Sequence, residues 1–478
     1  MNKKFYFLLA AMTFIFCIQL SAQNELRPYA HFAAIGATSQ PAFWQNMNKY
    51  GAYPEGNGAV LNIGVFGKAC MDRKINIRYG ISASGIGAEN DQRVIINELY
   101  SIFNFKTLYL KLGMFNRPFE YNGLSATNGD ILWSNNTRAL PGYSFESDVI
   151  RLTRSNLLGF QFRFGDYMTI DDRFTDKALL HNTALFLNFN ISKKFDFNGG
   201  LEIYAMWGGK SALGKQPQSL KDYIKMLVGH SGGDGATVSD QINVLGDQRG
   251  RVKLEMNGHS SKMDYTFYYN SIFDDRSGMT LHNFPDGLYG FYVRERSDEK
   301  KWVKGGLVEF QATADQSGPS HNDFRQLPDG TWERIPGSTA GGVDNYFNNG
   351  EYRSGWTYYG RCIGSPFFLT NNMDEVAKGN GIAFFNNAFY AGYLALNGYL
   401  FKKFEYKFRA SYAVNKGTLI ENRDYTFTQD PSKKQVSLGL DVNIPTKLKK
   451  LSFGGGIYAD FGKQFKNTGG LTFSATWH

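Results

Sequence analysis

Residues Val436-Ser437-Leu438-Gly439-Leu440-Asp441-Val442-Asn443-Ile444 alternate without a break, an apolar side chain at every second position. A period of two lines all five apolar chains along one face of a β-strand and puts Asp441 and Asn443 on the other. Working outward, the chain closes on a second such stretch, Leu471, Phe473, Ala475 and Trp477. Phe404, Tyr406, Phe408, Ala410 and Tyr412 precede the first. Earlier come Met263, Tyr265, Phe267 and Tyr269, then Leu185, Leu187, Phe189 and Ile191. Phe160, Phe162 and Phe164 alternate with Gln161 and Arg163, and Leu108, Leu110, Leu112 and Met114 with Tyr109, Lys111 and Gly113. Nearest the N-terminus are Ile75, Ile77, Tyr79 and Ile81, and Ala59, Leu61, Ile63 and Val65.

Alternation alone fits a water-soluble sandwich as well as a membrane barrel with its apolar face turned to lipid. Three features favour the barrel. The strands run about nine to eleven residues, the length that crosses a bilayer at a tilt. Tyr, Phe and Trp gather near strand ends, as in interfacial girdles. No linker divides a chain far longer than a usual sandwich. Composition agrees: 16% aromatic, 53 glycines and only 20% charged residues. The mean hydropathy of −0.37 is what alternation produces, because it hides the apolar belt from any average. No stretch has the roughly 18 consecutive apolar residues of a spanning helix. The expectation is an all-β, antiparallel outer-membrane barrel with a small helical element.

The N-terminus reads as an export signal over 1–22. Lys3 and Lys4 precede an apolar stretch from Phe5 to Ile18, and Ser21-Ala22 supplies small residues before a cut after Ala22. The remainder, 23–478, reads as one barrel domain. Cys17 leaves with the signal, while Cys70 and Cys362 either form one bridge or stay as two thiols, with no disulfide framework or zinc spacing. Net charge is +9, and removing Lys3 and Lys4 leaves about +7. A mild basic excess suits anionic polysaccharide or lipopolysaccharide phosphates; spread surface charge explains it equally. No basic stripe interleaved with stacking aromatics points to nucleic acid.

Two regions break the alternation. Residues 219–229 read as a short helix, capped by Ser219, stopped at Gly229, with Leu220, Tyr223, Ile224 and Leu227 on one face. Residues 314–385 are dense in Gly, Asn, Asp, Pro and aromatics, the composition of a long extracellular loop. Within it Trp332, Arg353, Trp356, Tyr358 and Tyr359 are candidate sugar contacts, rings to stack on C–H faces and an arginine for acidic groups. The alternative is that these rings pack the loop or join the girdle.

Catalytic chemistry finds little footing. Gly229-His230-Ser231-Gly232-Gly233 has the G-x-S-x-G form, yet it follows a helix and enters a glycine-rich loop, where no strand-to-helix turn presents the serine. The seven histidines make no i, i+4 pair or zinc run. Asp274, Asp275 and Asp286 surround His282 without calcium-loop spacing. No catalytic residue, metal or cofactor is expected.

Asp130-Ile131-Leu132-Trp133-Ser134-Asn135-Asn136-Thr137-Arg138-Ala139-Leu140-Pro141-Gly142 resembles the Ser-Asn-Asn-Ala-Arg-Pro-x-Pro-Gly signature of the Wzi capsule-assembly family, with Thr137 and Ala139 departing from it. Four further blocks resemble its longer-looped branch in order. They are Pro41–Gly51, the helix with Gly246-Asp247-Gln248-Arg249, His282–Gly290, and Tyr358–Gly364. The resemblance covers nearly all of 23–478 and makes Ser134, Asn135, Asn136, Arg138, Pro141 and Gly142 signature residues. It implies a barrel of about 18 strands in the outer membrane, with the helical part near the periplasmic side; a monomer is expected. It also implies a lectin-like role attaching capsular or extracellular polysaccharide to the cell surface. A passive porin or export channel, with Arg78, Lys111, Arg163 and Asp441 lining an aqueous bore, is the alternative reading. An outer-membrane lipase or acyltransferase is a third, and Ser231 beside His230 is the one pair the sequence offers it.

Overall fold

The structure, a computed structural model, describes residues 25–70, 75–89, 91–229, 245–274, 281–318, 324–326, 328, 332–334, 344–420, 426–446, 448 and 450–478; for 324–326 and 332–334 it describes the backbone. The signal segment 1–22, Asp275 and the His230–Ser231 pair lie outside the described residues.

Eighteen antiparallel strands close into one barrel, each bonded to its neighbours in sequence. They are β1 Glu25–Ala37, β2 Gly58–Cys70, β3 Ile75–Ala88, β4 Asp91–Phe105, β5 Leu108–Met114 and β6 Pro141–Ser147, which resumes briefly at Ile150–Arg151. Next come β7 Leu158–Met168, β8 Leu179–Ser192, β9 Phe195–Trp207, β10 Asp247–His259, β11 Met263–Asn270 and β12 Gly287–Glu295. The last six are β13 Gly305–Ala312, β14 Ala388–Leu400, β15 Phe404–Gly417, β16 Lys433–Pro445, β17 Leu451–Gly462 and β18 Thr468–Trp477. The first strand seals the last, Ala30 opposite Trp477 through Ala37 opposite Gly470. Closure leaves no sheet edge, which a bilayer requires because lipid offers backbone groups no partner.

The alternation sorts as a membrane barrel demands. Leu61, Ile63, Leu185, Leu187, Phe189, Ile191, Phe267, Ile444, Leu471 and Phe473 stand exposed on the outer wall. Their neighbours Asn182, Asn188, Gln435 and Ser437 are buried toward the bore. Phe105, Trp302, Phe401 and Trp477 are exposed where strands meet their short turns, an aromatic fringe at one rim.

Connections are unequal at the two ends. Both described termini and the tight turns at 106–107, 193–194, 260–262 and 401–403 share one end. The described parts of segments 38–57, 115–140, 208–246, 271–286, 313–387 and 418–432 share the other. Helices α1 Phe43–Asn46, α2 Leu220–Leu227 and α3 Met373–Ala377 all belong to this long-connection end. The described helices therefore stand together at the end opposite both described termini, away from the short turns.

The hydrophobic core sits inside the barrel. Trp44, Leu124, Ile131, Leu132, Tyr346, Trp356, Phe368 and Phe384, drawn from three long connections, pack with wall residues Tyr204, Tyr268 and Tyr393. The 314–385 region is thus largely a plug in its described parts. Hairpins Thr357–Tyr358 with Arg361–Cys362 and Leu369–Thr370 with Phe384–Asn386 fold it back into the mouth. Cys70 and Cys362 are free thiols, the second buried; burial raises the Cys362 thiol well above its ordinary range.

Candidate functional site

A ladder of alternating charge ties plug to wall. Lys111 of β5 lies 2.8 Å from Glu146 of β6, and Glu146 lies 3.5 Å from Arg163 of β7. Arg163 meets Glu202 of β9 at 2.8 Å, and Glu202 meets Arg251 of β10 at 2.6 Å. Arg251 and Arg117 each lie 3.1 Å from Asp130 of the plug. Glu202 also accepts from Tyr204 Oη at 2.9 Å and Asn182 Nδ2 at 3.1 Å. Charges drawn from water persist only when paired and hydrogen-bonded, and here each rung neutralises the next. A second anchor is Glu309 of β13, which accepts from Ser125 Oγ, the Ala126 amide at 2.9 Å, Thr127 Oγ1 at 3.2 Å and Tyr268 Oη.

Two plug segments then lock to each other. Ser134 Oγ donates to the Gly364 carbonyl at 2.6 Å, Asn136 Nδ2 to Cys362 O at 3.1 Å and Thr137 Oγ1 to Tyr358 O at 2.7 Å. Arg138 stacks on the Tyr359 ring at 3.8 Å. Pro141 and Gly142 open β6, where a side chain at Gly142 would strike the Asp166 carbonyl at 2.3 Å. The signature residues are thus a structural keystone. Asn135 is the exception: its buried side-chain amide has no hydrogen-bond partner and borders a cavity.

Asp286 ties the mouth together. Its carboxylate accepts from the amides of Asp315 at 3.1 Å and Gln316 at 2.8 Å and from Tyr346 Oη at 3.1 Å. Burial outweighs these bonds and pushes its pKa up to about 6. Asp274 accepts from the Phe347 amide at 3.1 Å, while His282 is exposed. These residues do not converge on an ion; among the described residues no His/Cys/Asp/Glu cluster of metal-binding form occurs.

Below the plug, toward the short turns, the bore opens into two cavities. One of about 620 Å³ is lined by Arg78, Lys111 and Arg163 with Glu98, Tyr100 and Trp133. The other, of about 820 Å³, is lined by Asp441, His31, Lys407 and Tyr399. The four lumen residues read from sequence therefore do face the bore, divided between two chambers.

No protein-family model matches this chain, and no curated protein matches it. Among solved structures, Wzi is described as an outer-membrane protein involved in group 1 capsule assembly in Escherichia coli and a carbohydrate-binding β-barrel. It aligns over 98% of this chain and 87% of its own, with a TM-score of 0.56 and 11% identity. Pseudomonas aeruginosa OprD aligns over 95% of this chain and 94% of its own, with a TM-score of 0.46 and 10% identity. OccK3 of the same organism aligns over 97% and 98%, with a TM-score of 0.48 and 8% identity. The fold is that of an outer-membrane β-barrel. Identities this low speak for fold alone.

The candidate sugar contacts scatter. Trp356 and Tyr358 are both 0% exposed. Trp356 donates Nε1–H to Leu132 O at 2.6 Å, and Arg249 covers its ring at 5.0 Å. Both are corrected from stacking platforms to plug packing, because neither has a free ring face. Tyr359 is half-buried beneath Arg138. Arg353 spans loops, stacked on Phe174 at 4.8 Å and donating to Gly379 O at 3.1 Å. The Trp332 side chain lies outside the described residues. Glu202, Arg251 and Glu309, which hold the plug, went unread; their one signal is a charge on the polar face of a strand.

Proposed function

We propose that this chain is a plugged outer-membrane barrel that attaches capsular or extracellular polysaccharide to the cell surface, as a monomer set in lipid and lipopolysaccharide. The carrying observation is the plug, bonded to the wall by the Lys111–Glu146–Arg163–Glu202–Arg251–Asp130 ladder. A mouth closed in this way offers a binding face in place of a conduit. The ordered sequence blocks resembling the Wzi family supply the ligand class, and the Wzi structure, described as a carbohydrate-binding barrel, is consistent with it. With the short turns periplasmic, the long-connection end faces outward. Tyr359, Arg353 and Trp332 remain the contacts of choice, and weak single contacts gain strength as one polymer engages many barrels. Deleting the gene should leave polymer synthesis and export intact and shed polymer into the medium. Capsule retained normally in the deletion strain would refute the reading.

A porin is the second reading. The two chambers and the unpaired Asn135 amide favour it, because they offer polar solutes a vestibule. Planar-bilayer recording separates the two: a large steady current supports the porin, a closed barrel the anchor.

A further inference from the structure

The outer wall of a membrane barrel is apolar as a rule, and an ionisable group there marks a site with a partner to be named. Near the long-connection end of β7 and β8 this wall carries a carboxylate, an imidazole and a hydroxyl in line. Asn182 and Glu202 meet inside the bore, so His181 and Thr183, one residue to either side of Asn182, point outward. Asp166 stands opposite His181 across the strand pair. Asp166 Oδ1 lies 2.9 Å from His181 Nδ1, and His181 Nε2 lies 2.7 Å from Thr183 Oγ1. Tyr143 Oη donates to Asp166 at 2.6 Å and Tyr223 Oη at 2.9 Å, which fixes the carboxylate. With Nδ1–H given to Asp166, Nε2 is the acceptor for the threonine hydroxyl proton. His181 is buried, whereas Thr183 is exposed beside the belt residues Leu185 and Leu187.

Helix α2 lies against this same patch. Tyr223 packs on Trp207 and His181, and Gln248 donates to the Met226 carbonyl at 2.9 Å. Turned away from the wall, Leu220, Ile224, Leu227 and Val228 are exposed. Lys221 and Lys225 follow on the adjoining face, a geometry suited to acyl chains beside anionic headgroups.

We propose that Thr183, His181 and Asp166 form an acyl-ester hydrolase site on the outer wall, acting on acyl-ester lipids beside α2. Thr183 Oγ1 attacks the ester carbonyl carbon while His181 Nε2 takes its proton. The adduct collapses, the bond to the lipid alcohol breaks, and the imidazolium returns the proton to that alcohol oxygen. Water, deprotonated by His181, then cleaves the acyl–Thr183 ester, releasing fatty acid and restoring the hydroxyl. Asp166 is the positioning residue. The proposal stands independently of the polysaccharide reading.

The test uses the full mature chain folded in detergent, with phosphatidylglycerol in mixed micelles and a p-nitrophenyl acyl ester as probes. Fatty-acid and nitrophenol release should fall at least about 100-fold in Thr183→Ala and His181→Ala and persist in Thr183→Ser. A fluorophosphonate should label Thr183 by mass spectrometry. Unchanged heat-modifiability on gels establishes that each variant is folded. No release by the native protein, or release undiminished in folded Thr183→Ala, overturns the proposal and leaves the cluster as an anchor for α2.

Discussion

Connections 115–140 and 208–229 leave the same end of the barrel and settle on opposite sides of its wall. The first enters the bore, where Asp130 joins the arginines and Ser125, Ala126 and Thr127 bond Glu309. The second lays α2 on the outer face, with Leu220, Ile224 and Leu227 exposed. Solvent decides between them. A segment rich in hydroxyls, amides and charge is satisfied only by the polar bore, since each unpaired buried polar group costs about 1–3 kcal/mol. An amphipathic helix gains nothing there and does best at an interface.

The contrast can be broken hardest at Glu202. Glu202→Ala takes the shared carboxylate from Arg163 and Arg251, leaving them only Glu146 and Asp130, and the excess buried positive charge should destabilise the barrel by about 3–5 kcal/mol in urea titrations. An effect under about 1 kcal/mol would mean that water reaches that part of the bore.

Acid should tighten the mouth next. Asp286 titrates near 6 when folded, above its ordinary value of 3.8. Its protonated form is thus favoured by folding. The stabilisation is full below about pH 4 and is lost as pH rises through about 6, worth up to about 3 kcal/mol at 1.36 kcal/mol per unit. The difference in urea midpoint between native protein and Asp286→Asn should carry that slope, and parallel profiles would contradict it.

Releasing the plug tip comes third. Glu309→Ala removes the acceptor of Ser125, Ala126 and Thr127, and should cost about 2 kcal/mol while raising single-channel conductance. Conductance that stays at the native level would place the closure elsewhere. The smallest effect belongs to the outer connection. Ser219 caps α2 through the Asp222 amide, so Ser219→Ala should cost that helix about 1 kcal/mol. The readout is faster cleavage near 219 by added protease, with conductance unchanged; opening of the bore would join two regions that the structure keeps apart.

Much of this fold could be read along the chain. Leu185 to Ile191 and Leu471 to Trp477 name their outer faces because a period of two survives any register, and Ser219 and Gly229 bracket α2 by local rules. The candidate site was less legible. Trp356 and Tyr358 were read from loop composition, which carries no information on whether a loop projects or folds inward. Burial by Arg249 and by the Leu132 carbonyl depends on residues more than a hundred positions away.

The sequence by itself determined the strands, their apolar and polar faces and one short helix, since each follows from periodicity or a cap within a few residues, while strand length and aromatic placement favoured a barrel over a sandwich. Tertiary structure alone decided that the lumen is filled, that α2 lies outside, and that Asp166 meets His181 and Thr183. Those outcomes rest on the register between strands and on which side of the wall satisfies a connection's polar atoms. Both are set by contacts between distant residues, and no local pattern encodes them.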